Sequence, residues 1–356
     1  MTITHVIFSF NTGGAELLVS DIMAEQIKAG HRVNLLVINN LYEESLLKKL
    51  HPEINVILVN RPEGSRNPWW ILRYNMLLRR TRPDVVHFHQ NNSAYITIKW
   101  KKVIFVQTIH DTGIDLKLNQ KKNDIVFAIS KAVRDDLYKR LFLESTIVEN
   151  GIPCQEVAKK DYKGIKYTHD CGKIFRIVLV GRLNYKKKGQ DLAIEALSQV
   201  VKKGINATLD LIGDGDSQDY LRQLAEKNGV SERVKFLGNC TRNYIYSSLQ
   251  YYDLFLLPSR YEGFGLVVAE AMAAKLPVVV SDIEGPLEII GSGAYGTAFR
   301  CGDVHSLTQT ILDIEADYPK YALLAWSDAY EHVCRKYNVS RTAAEYLVNY
   351  EKIIER

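Results

Sequence analysis

The stretch Phe175-Arg176-Ile177-Val178-Leu179-Val180, with the polar turn Gly181 to Lys188, the helical segment Gln190 to Lys203 and the apolar run Ala207 to Ile212 behind it, decides the fold. A short apolar strand, a glycine turn, an amphipathic helix and another apolar strand make a β-α-β unit. The chain opens the same way: Thr2 to Phe10 is a strand, Gly13-Gly14 a turn, Ala15 to Lys28 a helix and Val33 to Ile38 the next strand. Leu17, Leu18, Ile22, Met23 and Ile27 give that first helix one buried face, and Gly30 stops it. Further strands are predicted at Val85 to Phe88, Val103 to Ile109 and Asp124 to Ala128, separated by helical or loop segments. Two such openings predict an α/β protein of two Rossmann-like, doubly wound parallel-sheet domains, over 1–153 and 174–335. Between them 154–173 is rich in Lys, Asp and Gly without apolar periodicity and reads as the linker. Beyond Ser306 the pattern is helical, with Tyr318-Pro319 breaking one helix and Val339-Ser340 starting another. The last helix, 336–356, is expected to pack back toward the N-terminal domain. In folds of this kind ligands bind at the carboxyl ends of the strands, so the cleft that two facing domains form is the place to look for chemistry.

The 356 residues, 46% hydrophobic and 24% charged, can bury two cores of ordinary size. The longest apolar runs, Val103 to Val106 and Pro277 to Val280, are far shorter than the ~20 residues that span a bilayer. Met1 to Phe8 lacks the features of a signal peptide and reads as a strand, so a cytoplasmic location is expected. Cys154, Cys171, Cys240, Cys301 and Cys334 have neither paired nor metal-binding spacing, and free thiols are the simplest reading. The net charge of +5 is mild, but from Arg61 to Lys102 nine Lys or Arg stand against Glu63 and Asp84, among Trp69, Trp70 and Tyr74.

The chemistry concentrates in Asp253-Leu254-Phe255-Leu256-Leu257-Pro258-Ser259-Arg260-Tyr261-Glu262-Gly263-Phe264-Gly265-Leu266-Val267-Val268-Ala269-Glu270-Ala271-Met272-Ala273. A buried strand runs into Pro258, a glycine-containing loop follows, and a helix starts near Gly265 and ends before Pro277. That layout suits a phosphate: Gly263 and Gly265 admit close backbone approach, and the free N–H groups of the first helical turn favour an anion. Glu262 precedes the turn and Glu270 lies more than a turn into the helix. Two carboxylates so placed suit the hydroxyl pairs of a sugar and a ribose, with phosphates between them. An isolated pair of this spacing is more often a loop residue and a solvent-facing helix residue, so the surrounding residues decide.

Those surroundings run through Pro258-Ser259, Tyr261 to Gly265, Glu270-Ala271-Met272-Ala273, Pro277-Val278-Val279, Gly285 and Glu288. With them the chain resembles the family-4 retaining glycosyltransferases of the GT-B fold, whose hallmark is two glutamates separated by seven residues. The resemblance implies that Glu262 contacts the donor sugar, Glu270 the ribose hydroxyls, and the backbone of Gly263, Phe264, Gly265, Leu266 and Val267 the phosphates. It implies a cationic pair at Arg182 and Lys188, in Gly181-Arg182-Leu183-Asn184-Tyr185-Lys186-Lys187-Lys188-Gly189, that neutralises the departing diphosphate. A solvated basic turn is the alternative there, and three adjacent lysines blur the choice of Lys188. Gly13 and Gly14 resemble the family's first glycine loop, bordering donor phosphate and acceptor, although any tight strand-to-helix turn favours glycine. His110 ends a strand, where the family places a histidine near the transferred sugar; the alternative is a core or loop histidine. Asp111 beside it, and His87 and His89 around Phe88, are as readily structural. Asn150-Gly151-Ile152 matches the family near the hinge and is expected to do structural work. Lys275 stands where the family commonly has glycine, and Tyr252 where a small residue is usual. The resemblance covers nearly the whole chain, strongly from Phe175 to Ile290 and more weakly before Asn150.

Asp214 and Asp216 form Asp-x-Asp, a metal motif in other glycosyltransferases, but in this family the position carries no metal. With no His, Cys and carboxylate cluster at ligand spacing, neither metal nor cofactor is expected. The expected donor is a nucleotide sugar, uridine diphosphate ahead of guanosine diphosphate, and the expected acceptor a glycan or lipid-linked glycan of bacterial surface polysaccharide. Front-face substitution with retention is the expected mechanism. The Arg61–Arg82 region is expected either to meet an anionic membrane surface or to be a solvated helix with buried tryptophans. Nucleic acid is not an expected partner. A GT-B nucleotide-sugar epimerase and a non-catalytic nucleotide-sugar-binding protein are the rival readings; neither needs an acceptor.

Overall fold

A computed structural model describes residues 1–11, 13–90, 93–116, 122–162 and 174–355. They form two compact units, Met1–Ile152 with Asn338–Arg356, and Pro153–Tyr337. Residues 163–173 of the expected linker, Cys171 included, lie outside the described residues, and Cys154–Tyr162 belongs to the second unit.

In the first unit seven strands form a parallel sheet in the order β3-β2-β1-β4-β5-β6-β7. They are β1 (Thr2–Ile7), β2 (Arg32–Asn39), β3 (Asn55–Arg61), β4 (Val85–Phe88), β5 (Ile104–Ile109), β6 (Ile125–Ala128) and β7 (Thr146–Ile147). The central strands β1, β4 and β5 are buried and rich in Val, Ile and Phe, as burial on both faces favours, with Thr4, His5, His87, Gln107 and Thr108 set among them. One face packs Val6, Leu36, Val86, Phe88 and Phe105 against Tyr74 and Leu78 of the helix Trp69–Arg80. The other packs Ile7, Val33, Leu35 and Val37 against Val19 and Met23 of the helix Gly14–Lys28. The C-terminal helix Val339–Ile354 belongs to this unit and buries Tyr346 and Tyr350 completely. Gly151 permits its docking, because a Cβ there would stand 2.5 Å from the Asn338 carbonyl carbon.

The second unit holds six parallel strands in the order β10-β9-β8-β11-β12-β13. They are β8 (Phe175–Val180), β9 (Ala207–Ile212), β10 (Val234–Gly238), β11 (Leu254–Leu257), β12 (Val278–Ser281) and β13 (Thr297–Phe299). In both sheets the strand order reverses beside the first strand, between β1 and β4 and between β8 and β11. Each reversal sends the flanking loops apart at the carboxyl ends and leaves a crevice there. The residues singled out by the sequence gather at those two places.

Candidate active site

In the second unit, β8 delivers Gly181 to Gly189 and β11 delivers Pro258 to Gly265 to the same crevice. The first turn closes with the short helix Tyr185–Lys188, capped by the Asn184 side chain, and ends at Gly189 with φ 69. No other residue fits there: a Cβ would lie 1.9 Å from the Pro258 carbonyl oxygen. This contact brings Lys188 to Glu262, and the two form an ion pair at 2.5 Å, each largely buried. Lys186 is exposed, while the Lys187 carbonyl accepts the Arg260 N–H at 2.8 Å, so among the three lysines the pairing falls to Lys188.

Arg182 is exposed, and its carbonyl oxygen accepts a 2.9 Å hydrogen bond from the Gln190 side chain. Its guanidinium makes no ion pair among the described residues. Arg260 is held in place: it grips Asp191 with two bonds of 2.9 and 2.8 Å and donates to the Tyr185 carbonyl at 2.7 Å. This bidentate clamp was missed in the sequence, although Arg260 stands inside the hallmark run. It ties the two loops that carry Lys188 and Glu262.

Gly265 takes φ 102 as it leads into the helix Leu266–Ala273, a left-handed conformation that favours glycine. Gly263 and Phe264 are buried, and Leu266 and Val267 are partly exposed at the helix start. The Phe264 ring packs edge-on against Tyr337 at 5.4 Å, so its side chain anchors the loop and leaves only its backbone for a ligand. From behind, Gly285 braces the same loop; a Cβ there would meet the Glu262 carbonyl oxygen at 2.6 Å. Glu270 lies on the helix, and the Tyr246 hydroxyl donates to its Oε1 at 3.2 Å.

Of Asp214 and Asp216, Asp214 has a backbone role. Gly213, with φ 139, passes so close to the Gly181 carbonyl that a Cβ would lie 2.1 Å from it, and the Asp214 carboxylate accepts the Gly215 N–H at 2.7 Å. Among the described residues the one cluster of three metal-competent side chains is His5, His87 and His89, in the first unit.

In that first unit Gly13 precedes the helix Gly14–Lys28 in extended conformation, and the Glu16 carboxylate folds over it, 2.4 Å from where a Cβ would stand. Burial raises the Glu16 pKa. His110 follows β5 and His89 follows β4; the His89 Nδ1 and His110 Nε2 lie 3.3 Å apart. Burial lowers the His110 pKa to about 4, against the opposing pull of Asp111. His87 and His89 are buried with His5, whose role in this cluster the sequence did not signal.

The helix Trp69–Arg80 divides its tryptophans. Trp70 packs on the core, whereas Trp69 is 49% and Leu72 64% exposed, with Met76 and Ile98 also outside. Leu72, Asn75, Met76, Arg79, Arg80, Arg82 and Ile98 line an open groove of about 480 Å³.

Two parallel Rossmann-like sheets, each with its loops at the switch point, define a GT-B architecture. Residues 172–325 match the family Glycosyl transferases group 1, and residues 12–156 match Glycosyltransferase Family 4. The chain belongs to these family-4-type glycosyltransferases. It is 29% identical over 265 residues to a glycogen synthase of Mycobacterium tuberculosis, a match covering 67% of this chain and 62% of that one. It is 23% identical over 370 positions to the N-acetyl-alpha-D-glucosaminyl L-malate synthase of Bacillus anthracis, covering 97% and 95%. The crystal structure of Anabaena Alr3699/HepE in complex with UDP and glucose has the same fold, with TM-score 0.81, 23% identity and coverage of 99% of this chain and 100% of that one. No helix among the described residues is long and apolar enough to cross a membrane.

Proposed function

We propose that the chain is a metal-independent, retaining glycosyltransferase that moves a sugar from a nucleotide diphosphate donor to a hydroxyl of a glycan or lipid-linked glycan. The observation that carries this reading is the Lys188–Glu262 pair at 2.5 Å, beside a helix start that Gly265 opens at φ 102. In this reading the diphosphate lies on the backbone amides of Gly263 to Val267, where the helix dipole favours negative charge. Lys188 has three donors, so it can hold Glu262 and a phosphate oxygen together. Arg182, exposed and without an ion pair among the described residues, supplies a second cation. Charge that develops on the departing diphosphate meets fixed cations, and no metal is needed. Glu262 accepts hydrogen bonds from donor-sugar hydroxyls, and Glu270, oriented by Tyr246, accepts those of the ribose.

The leaving phosphate oxygen takes the proton of the incoming acceptor hydroxyl on the same face of the sugar, which retains configuration. His110 contacts the transferred sugar. A uridine diphosphate donor is favoured by the fold shared with a protein solved with UDP and glucose. A role in bacterial surface polysaccharide is favoured by a 27% identical relative, the lipopolysaccharide core glycosyltransferase LpsE of Rhizobium meliloti. The exposed Trp69, Leu72 and Met76 among arginines favour contact with an anionic lipid surface at the inner membrane face.

The test is UDP release from UDP-glucose and UDP-N-acetylglucosamine in the presence of a lipid-linked glycan fraction. Arg182→Ala and Glu262→Ala are expected to lower it by about 10²-fold or more with unchanged melting. Near-normal rates in both contradict the assignment.

A further inference from the structure

Four histidines, His5, His87, His89 and His110, meet at the carboxyl side of the first sheet's switch point. His5 and His87 stand opposite each other in the β1–β4 register. His5, His89 and His110 form a single file. Gln26 Oε1 lies 2.7 Å from His5 Nε2, His5 Nδ1 2.8 Å from His89 Nε2, and His89 Nδ1 3.3 Å from His110 Nε2. Gln26 and His5 are fully buried and His89 is 5% exposed. His87 runs in a separate branch, with its Nδ1 2.7 Å from the Tyr350 hydroxyl and its Nε2 2.7 Å from Thr108 Oγ1. Each of these buried rings therefore has both nitrogens engaged.

A neutral imidazole has one N–H and one lone pair. In a file of neutral rings, the proton position of the first therefore dictates that of every ring after it. Burial lowers the pKa of His5 to about 4 and that of His89 well below 6.5, so the file is neutral near pH 7. Gln26 sets its direction. The amide oxygen faces His5 and needs an N–H there. The amide nitrogen is buried and makes no hydrogen bond among the described residues.

We infer that Gln26, His5 and His89 are positioning residues that fix the tautomer of His110, holding its proton on Nε2 and presenting Nδ1 as a hydrogen-bond acceptor for a substrate hydroxyl. Nδ1 of His110 has no hydrogen-bond partner among the described residues. The acceptor role rests on the proposed placement of His110 at the transferred sugar; the tautomer itself does not. The arrangement gives His110 a selectivity that its place in the chain does not: it reads a hydroxyl that donates, and rejects a group that can only accept.

The experiment is a long-range ¹H–¹⁵N correlation spectrum of the unliganded full chain labelled at its histidines, near pH 7, with the His110 signals assigned by their loss in His110→Gln. The expected result is His110 as the Nε2–H tautomer. In Gln26→Leu, three hydrogen bonds away, and in His5→Phe, which breaks the file at its centre, the Nδ1–H tautomer is expected to become populated while the melting transition stays cooperative. A wild-type His110 protonated on Nδ1 overturns the inference. So does an unchanged tautomer in either folded variant, or a shift of the His5 and His89 nitrogens to metal-bound values on adding Zn²⁺. Donor turnover is measured separately. If the tautomer is as expected and His110→Gln still turns over UDP-sugar normally, the relay stands and the placement of His110 at the sugar fails.

Discussion

Lys188 illustrates how a single residue becomes readable only in three dimensions. Along the chain it is one of three equal lysines; in the fold, Gly189 presses that turn onto the Pro258 carbonyl and the Lys188 ammonium meets Glu262. Lys188→Ala is expected to reduce kcat by about 10²-fold while leaving donor binding within a fewfold, because the cation acts most on charge that appears in the transition state. Steady-state kinetics with UDP-sugar check this, and a loss confined to KM counts against it. Glu270 is expected to behave in the opposite way. Glu270→Ala should weaken nucleotide binding about tenfold by titration calorimetry, and Tyr246→Phe, which removes only the orienting bond, should do so less. Lys275, where glycine is common in the family, does take the left-handed φ of 61 that explains the preference, with its Nζ 4.9 and 4.8 Å from the Trp326 and Tyr330 rings.

At the scale of elements, strands predicted at Val85 to Phe88, Phe175 to Val180 and Ala207 to Ile212 match β4, β8 and β9 residue for residue. Apolar content and the flanking glycines were sufficient there. The first strand ends at Ile7 rather than Phe10, because Phe10 leaves the β1 ladder and bridges Tyr42 instead. The start of β11 depends on a pair no periodicity announces. Asp253 accepts from Lys160 at 2.9 Å, with both side chains 8% exposed, and from the Arg176 N–H at 3.0 Å. Asp253→Ala removes the carboxylate of this buried ion pair and is expected to cost about 3–5 kcal/mol in denaturant unfolding. A loss below 1 kcal/mol contradicts that role. The Glu262–Glu270 motif was legible since its parts lie within one loop and helix. The Gln26–His5–His89 file was not, since it joins His5 of β1 to a helix residue 21 positions away and to a residue past β4 84 positions away, which only the packing of that helix and strand brings together.

For the whole molecule, the units divide the chemistry, with the cations and both glutamates in Pro153–Tyr337 and the histidine file in the other unit. The file makes the first unit sensitive to acid. The folded pKa values of His5 and His110 are lowered to about 4 from 6.5, so between those values the unfolded chain binds more protons than the native one. Stability is therefore full above about pH 6.5 and declines as pH falls toward 4, by up to about 1.4 kcal/mol per pH unit for each fully shifted histidine. Urea midpoints at pH 7.5 and pH 5 check this; equal midpoints contradict it. The membrane surface is tested by sedimentation with neutral and anionic liposomes: binding to anionic vesicles alone is expected, lost in Trp69→Ser/Leu72→Ser, and equal binding to both overturns it.

The central claim is a metal-free nucleotide diphosphate site built on Glu262, Glu270, Lys188 and Arg182. Calorimetric titration of UDP and GDP in the presence of EDTA tests it most directly. The account predicts that UDP binds with EDTA present and that Glu270→Ala and Arg182→Ala each weaken it about tenfold. Binding that requires added Mg²⁺ or Mn²⁺, or that is unchanged in both variants, would contradict it.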